Sequence, residues 1–265
     1  MAVSKPISRV AGPQPLSRVL LAAGYTNAQA LLSQGRVASD GRTLTEVGAR
    51  VDPWRQTITV NGTPIVVEHV CRYLLLHKPY RVLTEWTDPE RQGRTTLADL
   101  VPLAGLEPAG RLDYDSEGLL LLTDDGWLLH RLTHPRYEHP KVYWALVEGK
   151  PDEAALEALR QGVPVKGETT REAEVTLLPA DERPAPERVQ APGATTWLRI
   201  VLREGRKHQV RHMTAAVGHP TLRLLRVALG PLRLGALAPG DWRTLDEEEL
   251  AALARMLRGG TGRRR

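Results

Sequence analysis

Phenylalanine is absent from this sequence, and cysteine occurs once, at Cys71. A lone cysteine excludes a disulfide framework and a cysteine-based zinc site within the chain, and it suits a reducing, cytoplasmic setting. Without Phe, the aromatic character rests on six Trp and six Tyr, few enough to be spent on specific contacts. No apolar run approaches the roughly 20 residues that span a bilayer, and the opening stretch MAVSKPISRVAGPQP lacks the apolar core of a secretory signal. No dinucleotide-binding or phosphate-cradling glycine fingerprint is present. Positive charge is in excess: 36 Lys and Arg stand against 31 Asp and Glu, a net +5. That balance favours a polyanionic partner, with nucleic acid ahead of a membrane surface.

The 265 residues suffice for one large domain and one small one. Residues 1–13 read as a flexible basic leader. Helical spacing begins at Leu16, and a second short helix runs to Gln34 before Gly35. The period then changes to short strands with tight turns, around residues 36–38, 47–51 and 57–60. Residues 14–62 thus form a small module with little core of its own, and 63–71 form a linker to a unit spanning 72–258.

In that larger unit, Cys71 to Leu76 reads as an apolar strand that continues through Arg81 to Thr84 after a proline break. Gly110 to Gly118, GRLDYDSEG, is a charged turn carrying three carboxylates. It leads into the apolar run Leu119 to Leu122, which has the look of a buried strand, and Asp124-Asp125-Gly126 closes that strand as a turn. Carboxylates beside a buried strand are costly unless paired, so at least one needs a cationic or hydrogen-bonding partner from elsewhere. Further on, Lys141 to Val147 alternates like a strand, and Asp152 to Arg160 is a capped helix closed by Gly162. Glu172 to Leu178 and Thr195 to Leu202 are two strands of a hairpin joined by the Pro-rich loop 179–193.

A second charged stretch, Arg203 to Met213, reads as a glycine turn followed by a helix with an apolar side at Val210, Met213 and Val217. Arg206, Lys207 and His208 sit at its amino-terminal end, where cations oppose the helix dipole; an anion normally seated there would offset that cost. A basic strand follows at Leu222 to Val227. A last helix covers Leu245 to Leu257, with Thr244 and Glu247 set as a capping box, and 259–265 form a basic tail.

These parts admit several chemistries. Asp113, Asp115, Asp124 and Asp125 could hold Mg²⁺ for phosphoryl transfer, although the neighbouring arginines and the turn character of Asp-Asp-Gly speak against it. His208 and His212 have a zinc-compatible spacing but no acidic or cysteine companion. His130, His134 and His139 suit a structural or RNA-facing role. A carboxylate next to arginine in a basic chain is what remains.

Two resemblances sharpen this. LSRVLLAAGYTNAQALLSQGRVASDGRTL, followed by V-D-P and I-T-V-N-G, resembles the S-four RNA-binding domain, which implies that Arg18, Arg36 and Arg42 face RNA phosphates. The family's Arg-rich patch is replaced here by Thr26-Asn27-Ala28-Gln29. GRLDYDSEGLLLLTDDG, HPRYEHPKVYWALVEG, EGRKHQVRHM and GHPTLRLLRVALGPLRLG, in that order over residues 72–245, are similar to the bacterial ribosomal RNA pseudouridine synthases of the Rsu type. That resemblance implies an α+β fold, a largely antiparallel mixed sheet flanked by helices around a central cleft, behind a small S-four-type domain. It also implies isomerisation of a uridine in ribosomal RNA without metal or cofactor, on a base flipped out of its stack.

By the same resemblance Asp113 is the catalytic carboxylate, Arg211 is the cation that pairs with it, and Tyr143 stacks on the base and helps remove its proton. Arg111, Lys141, Arg206, Lys207, His208 and Gln209 are supporting or RNA-binding groups, while Asp115 and Glu117 shape the turn or meet solvent. The partner is ribosomal RNA or a ribosomal assembly intermediate, with GHPTLRLLR leaning towards the large subunit; no membrane is implied and a monomer suffices. The competing readings are an inactive RNA-binding assembly factor and a metal-dependent nuclease.

Overall fold

In the computed structural model, which describes residues 6–184 and 193–259, the amino-terminal unit sets α1 (Leu16–Ala22) and α2 (Ala28–Ser33) beside short strands. Of these, β1 (Gln14–Pro15) pairs with β4 (Arg50–Val51), while β2 (Val37–Ser39), β3 (Arg42–Leu44), β5 (Ile58–Val60) and β6 (Thr63–Pro64) form a sheet in the order β3-β2-β5-β6. Val47, expected in a strand, is exposed outside β4. The unit closes a core of its own, with Leu16, Leu20, Leu32, Val37 and Val60 buried together.

Ile7 is fully buried in that same core, and this alters the expected leader. Its amide donates to the His69 carbonyl at 2.8 Å, and its carbonyl accepts from Cys71 at 3.0 Å. Val10 packs instead in the core of the larger unit, the Ser8 hydroxyl bonds Asp125, and Arg9 pairs with Glu247 at 2.6 Å. Residues 6–13 are thus a clasp between the two units. Two apolar residues aimed at two different cores carry no period, so the sequence does not announce them. Residues 1–5, the tail beyond Gly259 and loop residues 185–192 lie outside the described residues.

The larger unit is built on one mixed sheet, entered by β7 (Tyr73–Lys78). Its other strands are β8 (Glu107–Pro108), β9 (Glu117–Thr123), β10 (Lys141–Glu148), β13 (Glu174–Leu177), β14 (Thr195–Leu202), β15 (Thr221–Leu229), β16 (Leu232–Arg233) and β17 (Trp242–Thr244). The order is β13-β14-β10-β15-β9-β7-β17, with β8 beside β9 and β16 beside β15, and β11 (Pro164–Val165) and β12 (Glu168–Thr169) form a separate hairpin. Two antiparallel halves meet at β9 and β15, the only parallel pair of this sheet among the described residues.

All seven residues of β9 are buried, and its alternation sorts side chains into two cores. Leu119 and Leu121 join Leu75 on one face, while Leu120 and Leu122 join Leu74 and Leu76 on the other. A strand covered on both faces reads as a continuous apolar run, as this one does. The first face is covered by α3 (Gly126–Thr133) and by α6 (Glu247–Gly259), whose Leu250, Leu253, Ala254 and Leu257 repeat at helical spacing. Against β10 and β14 lie α4 (Glu153–Gln161) and α5 (Gln209–Ala216). No helix among the described residues is long and apolar enough to cross a membrane.

Three local expectations change. Asp124-Asp125-Gly126 does not merely close β9: the Asp125 carboxylate accepts from the amides of Trp127 and Leu128 and starts α3. The α6 capping box is made by Asp246, whose carboxylate accepts the Glu249 amide at 2.8 Å, and Glu249, whose carboxylate accepts the Asp246 amide at 3.1 Å, rather than by Thr244 and Glu247. Residues 81–84 are not a strand; the Arg81 amide bonds the Tyr114 carbonyl and Leu83 bonds Thr95, so this segment braces the charged turn.

At Gly118 φ is +108°, and a Cβ there would stand 2.3 Å from the Arg226 carbonyl oxygen. Gly118→Ala is therefore expected to cost at least about 2 kcal/mol, read as a lower urea midpoint with an unchanged m-value.

Candidate active site

The turn before β9 opens into a cleft of about 970 Å³, lined by Asp113, Lys141, Tyr143, Arg206, His208 and Arg226 among others. The turn is held from beneath. Thr84 Oγ1 donates to the Leu112 carbonyl at 2.6 Å, and the Ser116 amide donates to the Asp113 carbonyl at 3.0 Å. Asp113 is thereby presented on a fixed backbone, its side chain 29% exposed.

Its nearest side-chain partner differs from the expectation. His208 Nε2 lies 3.3 Å from Asp113 Oδ1, whereas Arg211 lies 3.1 Å from Asp115 Oδ2. Arg211 also donates to the backbone carbonyls of Asp115, at 2.9 Å, and Thr221, at 3.2 Å. One guanidinium fork thus bridges the turn to the start of β15, and its reach is spent two residues beyond Asp113. His208 gains its position through the backbone: it stands before the first turn of α5 with φ +57°, a conformation uncommon outside glycine. Gln209 secures that bend, its side-chain oxygen accepting the Arg206 amide at 3.0 Å and its amide group donating to Glu204. The helix starts at Gln209, so Arg206, Lys207 and His208 all lie on the loop before it.

Glu117, expected to shape the turn or meet solvent, is 3% exposed. It pairs with Arg223 at 2.9 and 3.0 Å beneath the cleft. Asp124 and Asp125 flank the far end of β9, about 20 Å along a strand of this length. Asp124 bonds Arg72 and Asp125 bonds Tyr73. The four aspartates of the metal reading therefore do not converge, and among the described residues no group of three or more His, Cys, Asp or Glu could hold a metal ion.

Lys141 and Tyr143 are two apart on β10 and share a face; Tyr143 is paired across the ladder with Arg226 on one side and Ile200 on the other. Burial, helped by the Arg226 charge, pushes Lys141 down to about 8. Lys78, fully buried under the turn, is pushed down by burial to about 8, against the pull of Glu117, Asp115 and Asp113. Burial also lowers His139, whose ring nitrogen contacts the Arg131 carbonyl.

The remaining candidates divide. Arg111 sits at the rim, bound to Glu85 at 2.6 Å, Arg206 meets Glu168 and Glu204, and Lys207 is exposed along the cleft. In the small unit, Arg36 and Arg42 are exposed. Arg18 is turned inward instead, donating to the Pro6 carbonyl at 2.7 Å with its Nε buried, because it helps seat the clasp. Arg226 and Lys78 escaped the sequence reading. Their one signal is a cation inside an apolar strand, LLRVAL and YLLLHK.

Comparison with known proteins supplies the chemistry. Residues 72–216 match the family model described as RNA pseudouridylate synthase. An "Uncharacterized RNA pseudouridine synthase" of Aquifex aeolicus is 39% identical over 233 residues, 87% of this chain and 88% of that protein. "Ribosomal large subunit pseudouridine synthase E" of Vibrio vulnificus is 48% identical over 177 residues, 66% of this chain and 75% of that one. Its namesake in Xanthomonas axonopodis pv. citri is 52% identical over 170 residues, covering 63% and 90%. A crystal structure of a pseudouridylate synthase superposes with a TM-score of 0.59 at 25% identity, over 89% of this chain and 96% of that one.

The depressed Lys141 makes the stability of the fold depend on pH. Below about pH 8 the fold holds a protonated Lys141 that the unfolded chain would solvate better. As pH rises from there towards the free-lysine value the unfolded state binds more protons, and stability rises. Lys141→Met removes the penalty, so the variant is expected to be more stable than wild type at pH 7. In urea titrations that advantage should shrink as pH approaches 10.

Proposed function

The chain belongs to the RNA pseudouridylate synthase family, and from that premise we propose that it isomerises a specific uridine of large-subunit ribosomal RNA, with Asp113 as the catalytic carboxylate. The names of the Vibrio and Xanthomonas relatives support the large-subunit target. The observation that carries the residue reading is the cleft itself: Asp113 and Tyr143, thirty residues apart in sequence, line one cavity in a cationic wall.

The reaction conserves every atom. The bond from ribose C1′ to uracil N1 breaks, the base turns, and a bond from C1′ to C5 replaces it; the C5 proton leaves and N1 gains one. An ionised carboxylate serves either by attack at C1′ or by taking a ribose proton. His208 holds Asp113 toward the cleft, and Arg211, through Asp115, fixes the turn that carries it. Tyr143 offers a ring face for the extruded base and a phenol to assist proton removal. A stacked uridine must flip to reach this depth, and the basic rim, Arg111, Arg206 and Lys207, steers the phosphates around it.

Residues 14–62 are read as an S-four-like RNA-binding unit, with Arg36 and Arg42 on its exposed face and Arg18 in a structural place. A cytoplasmic enzyme working on ribosomal RNA or an assembly intermediate, as a monomer, fits these features.

Incubating the protein with ribosomal RNA and mapping pseudouridine by base-specific derivatisation tests the reading. Wild type should modify one position with EDTA present, and Asp113→Asn should lower the rate by at least about 10³-fold. No product on any ribosomal RNA or particle, or an active Asp113→Asn enzyme, would sink it. For the small unit, Arg36→Ala with Arg42→Ala should weaken RNA binding and flatten the log–log salt slope by about 2. The rate at saturating RNA should stay unchanged; an unaltered slope contradicts the RNA-facing assignment.

A further inference from the structure

The carboxylates in and beneath the cleft are already engaged: Asp113 by His208, Asp115 by Arg211, Glu117 by Arg223, Glu204 by Arg206 and Glu138 by Arg171. Among the described residues, three cations lining the cleft have no such counterpart: Lys207, which is exposed to solvent, and two set into the wall, Arg226 and Lys141. Arg226 is 2% exposed, donates Nε to the Leu119 carbonyl at 2.8 Å, and leaves Nη2 buried without a partner. Lys141 donates Nζ only to the His139 carbonyl, at 3.3 Å. Tyr143 stands between them: it shares a strand face with Lys141 and is the ladder partner of Arg226.

Two cations that repel each other, one with an unmet N–H, are a costly arrangement for a protein interior. Neither is explained by holding Asp113, which has His208, nor by holding the turn, which has Arg211. A bound oxyanion would satisfy both at once, since guanidinium and ammonium groups recognise tetrahedral oxyanions by charge-assisted hydrogen bonds.

We propose that Arg226 and Lys141 form an oxyanion subsite on the cleft floor that takes the non-bridging oxygens of a phosphodiester adjoining the flipped uridine. The natural ligand rests on the RNA-modifying reading above; the oxyanion chemistry does not. The subsite fixes the sugar end of the nucleotide by its phosphate while Tyr143 faces the base, so that ribose C1′ is delivered to Asp113.

Lys141 makes the subsite pH-dependent. The charge that acts on it is Arg226 from β15, and the His139 carbonyl before it accepts its Nζ. The cleft is lined further by Tyr143 on its own strand, by His134 and Glu138 before that strand, by Arg203, Glu204, Arg206, Lys207 and His208 after β14, and by Arg111, Asp113, Tyr114 and Asp115 of the turn. The Lys141 charge is present below about pH 8 and lost above it, so oxyanion affinity falls as pH rises.

Sulfate is the probe, because it stays a dianion throughout. Its binding to the whole protein is measured by calorimetry at constant ionic strength in chloride. Saturable binding is expected at pH 7, weaker at pH 9, weakened about tenfold or more by Lys141→Gln, and level across that range in Lys141→Arg. Arg226→Lys, which keeps the charge in place for folding, should weaken it as well. Absent saturable binding, full affinity in Lys141→Gln, or the wild-type pH course in Lys141→Arg would overturn the subsite.

A second arm identifies the source of the anion. An RNA fragment bearing the modified uridine is prepared with a neutral methylphosphonate at each flanking phosphodiester in turn. One position should raise KM in wild type but add little in Lys141→Gln. Equal losses in both proteins at every position would mean that the site takes a free oxyanion, overturning the phosphodiester assignment. Sulfate binding without any pseudouridine formation would instead refute the enzymatic reading and leave the oxyanion site standing.

Discussion

At Gly118 the backbones of β9 and β15 come so close that no side chain fits between them, and the charged groups of the cleft take their places from that contact. The parallel register it permits sets Leu225 against Glu117 and Arg226 against Gly118. From there Arg223, two residues before Leu225, reaches Glu117 from β15, and Arg226 falls opposite Tyr143 on the next strand. The turn carrying Asp113 hangs from the β9 end of this junction. A glycine in a buried strand is normally a weakness; here it lets two antiparallel half-sheets join, and the join is where the cleft opens.

The charges are arranged in layers. Glu117 and Arg223 are sealed beneath the turn, where removing one partner would strand a buried charge. Asp115 and Arg211 tie the turn to β15, and Asp113 and His208 face the cavity. Lys78, Lys141 and Arg226 then leave the interior with more positive charge than carboxylate, and their burial depresses both lysines, with Arg226 adding to the effect. Such a site is less stable than it could be. A surplus of buried cation is reasonable where a polyanion completes the structure on binding, a local sacrifice of stability of the sort functional sites show.

Much of this was legible in the sequence. β9 and β10 follow directly from a continuous apolar run and from alternation, and α4 from Asp152 and Gly162 as its caps. The ordered motifs also brought Asp113 and Tyr143 into one cleft. α3 was hidden because its cap, Asp125, and its first residue, Gly126, are also the residues of a turn. The segment after Pro79 has no period because its hydrogen bonds go to the charged turn rather than to a strand. The partner of Asp113 was misread for a subtler reason: spacing along a helix locates Arg211, but His208 is aimed by a left-handed backbone bend before the helix begins. Arg18, which the resemblance sets facing RNA phosphates, is turned towards the Pro6 carbonyl of the clasp instead, a contact that only the fold shows.

β9 also connects features that look separate. At one end it carries the turn with Asp113; at the other, Asp125 caps α3 and bonds both Tyr73 and Ser8 of the clasp. Ser8 lies next to Ile7, which is sealed into the core of the small unit, while Arg9 reaches Glu247 at the start of α6. The small unit is therefore anchored to the same rigid strand that presents the carboxylate, rather than hung on a loose linker. A contact made by the exposed arginines of the small unit then has a defined spatial relation to Asp113. Under the proposed RNA-facing role of those arginines, phosphate contacts without base specificity would set register and leave the reading of the base to the site.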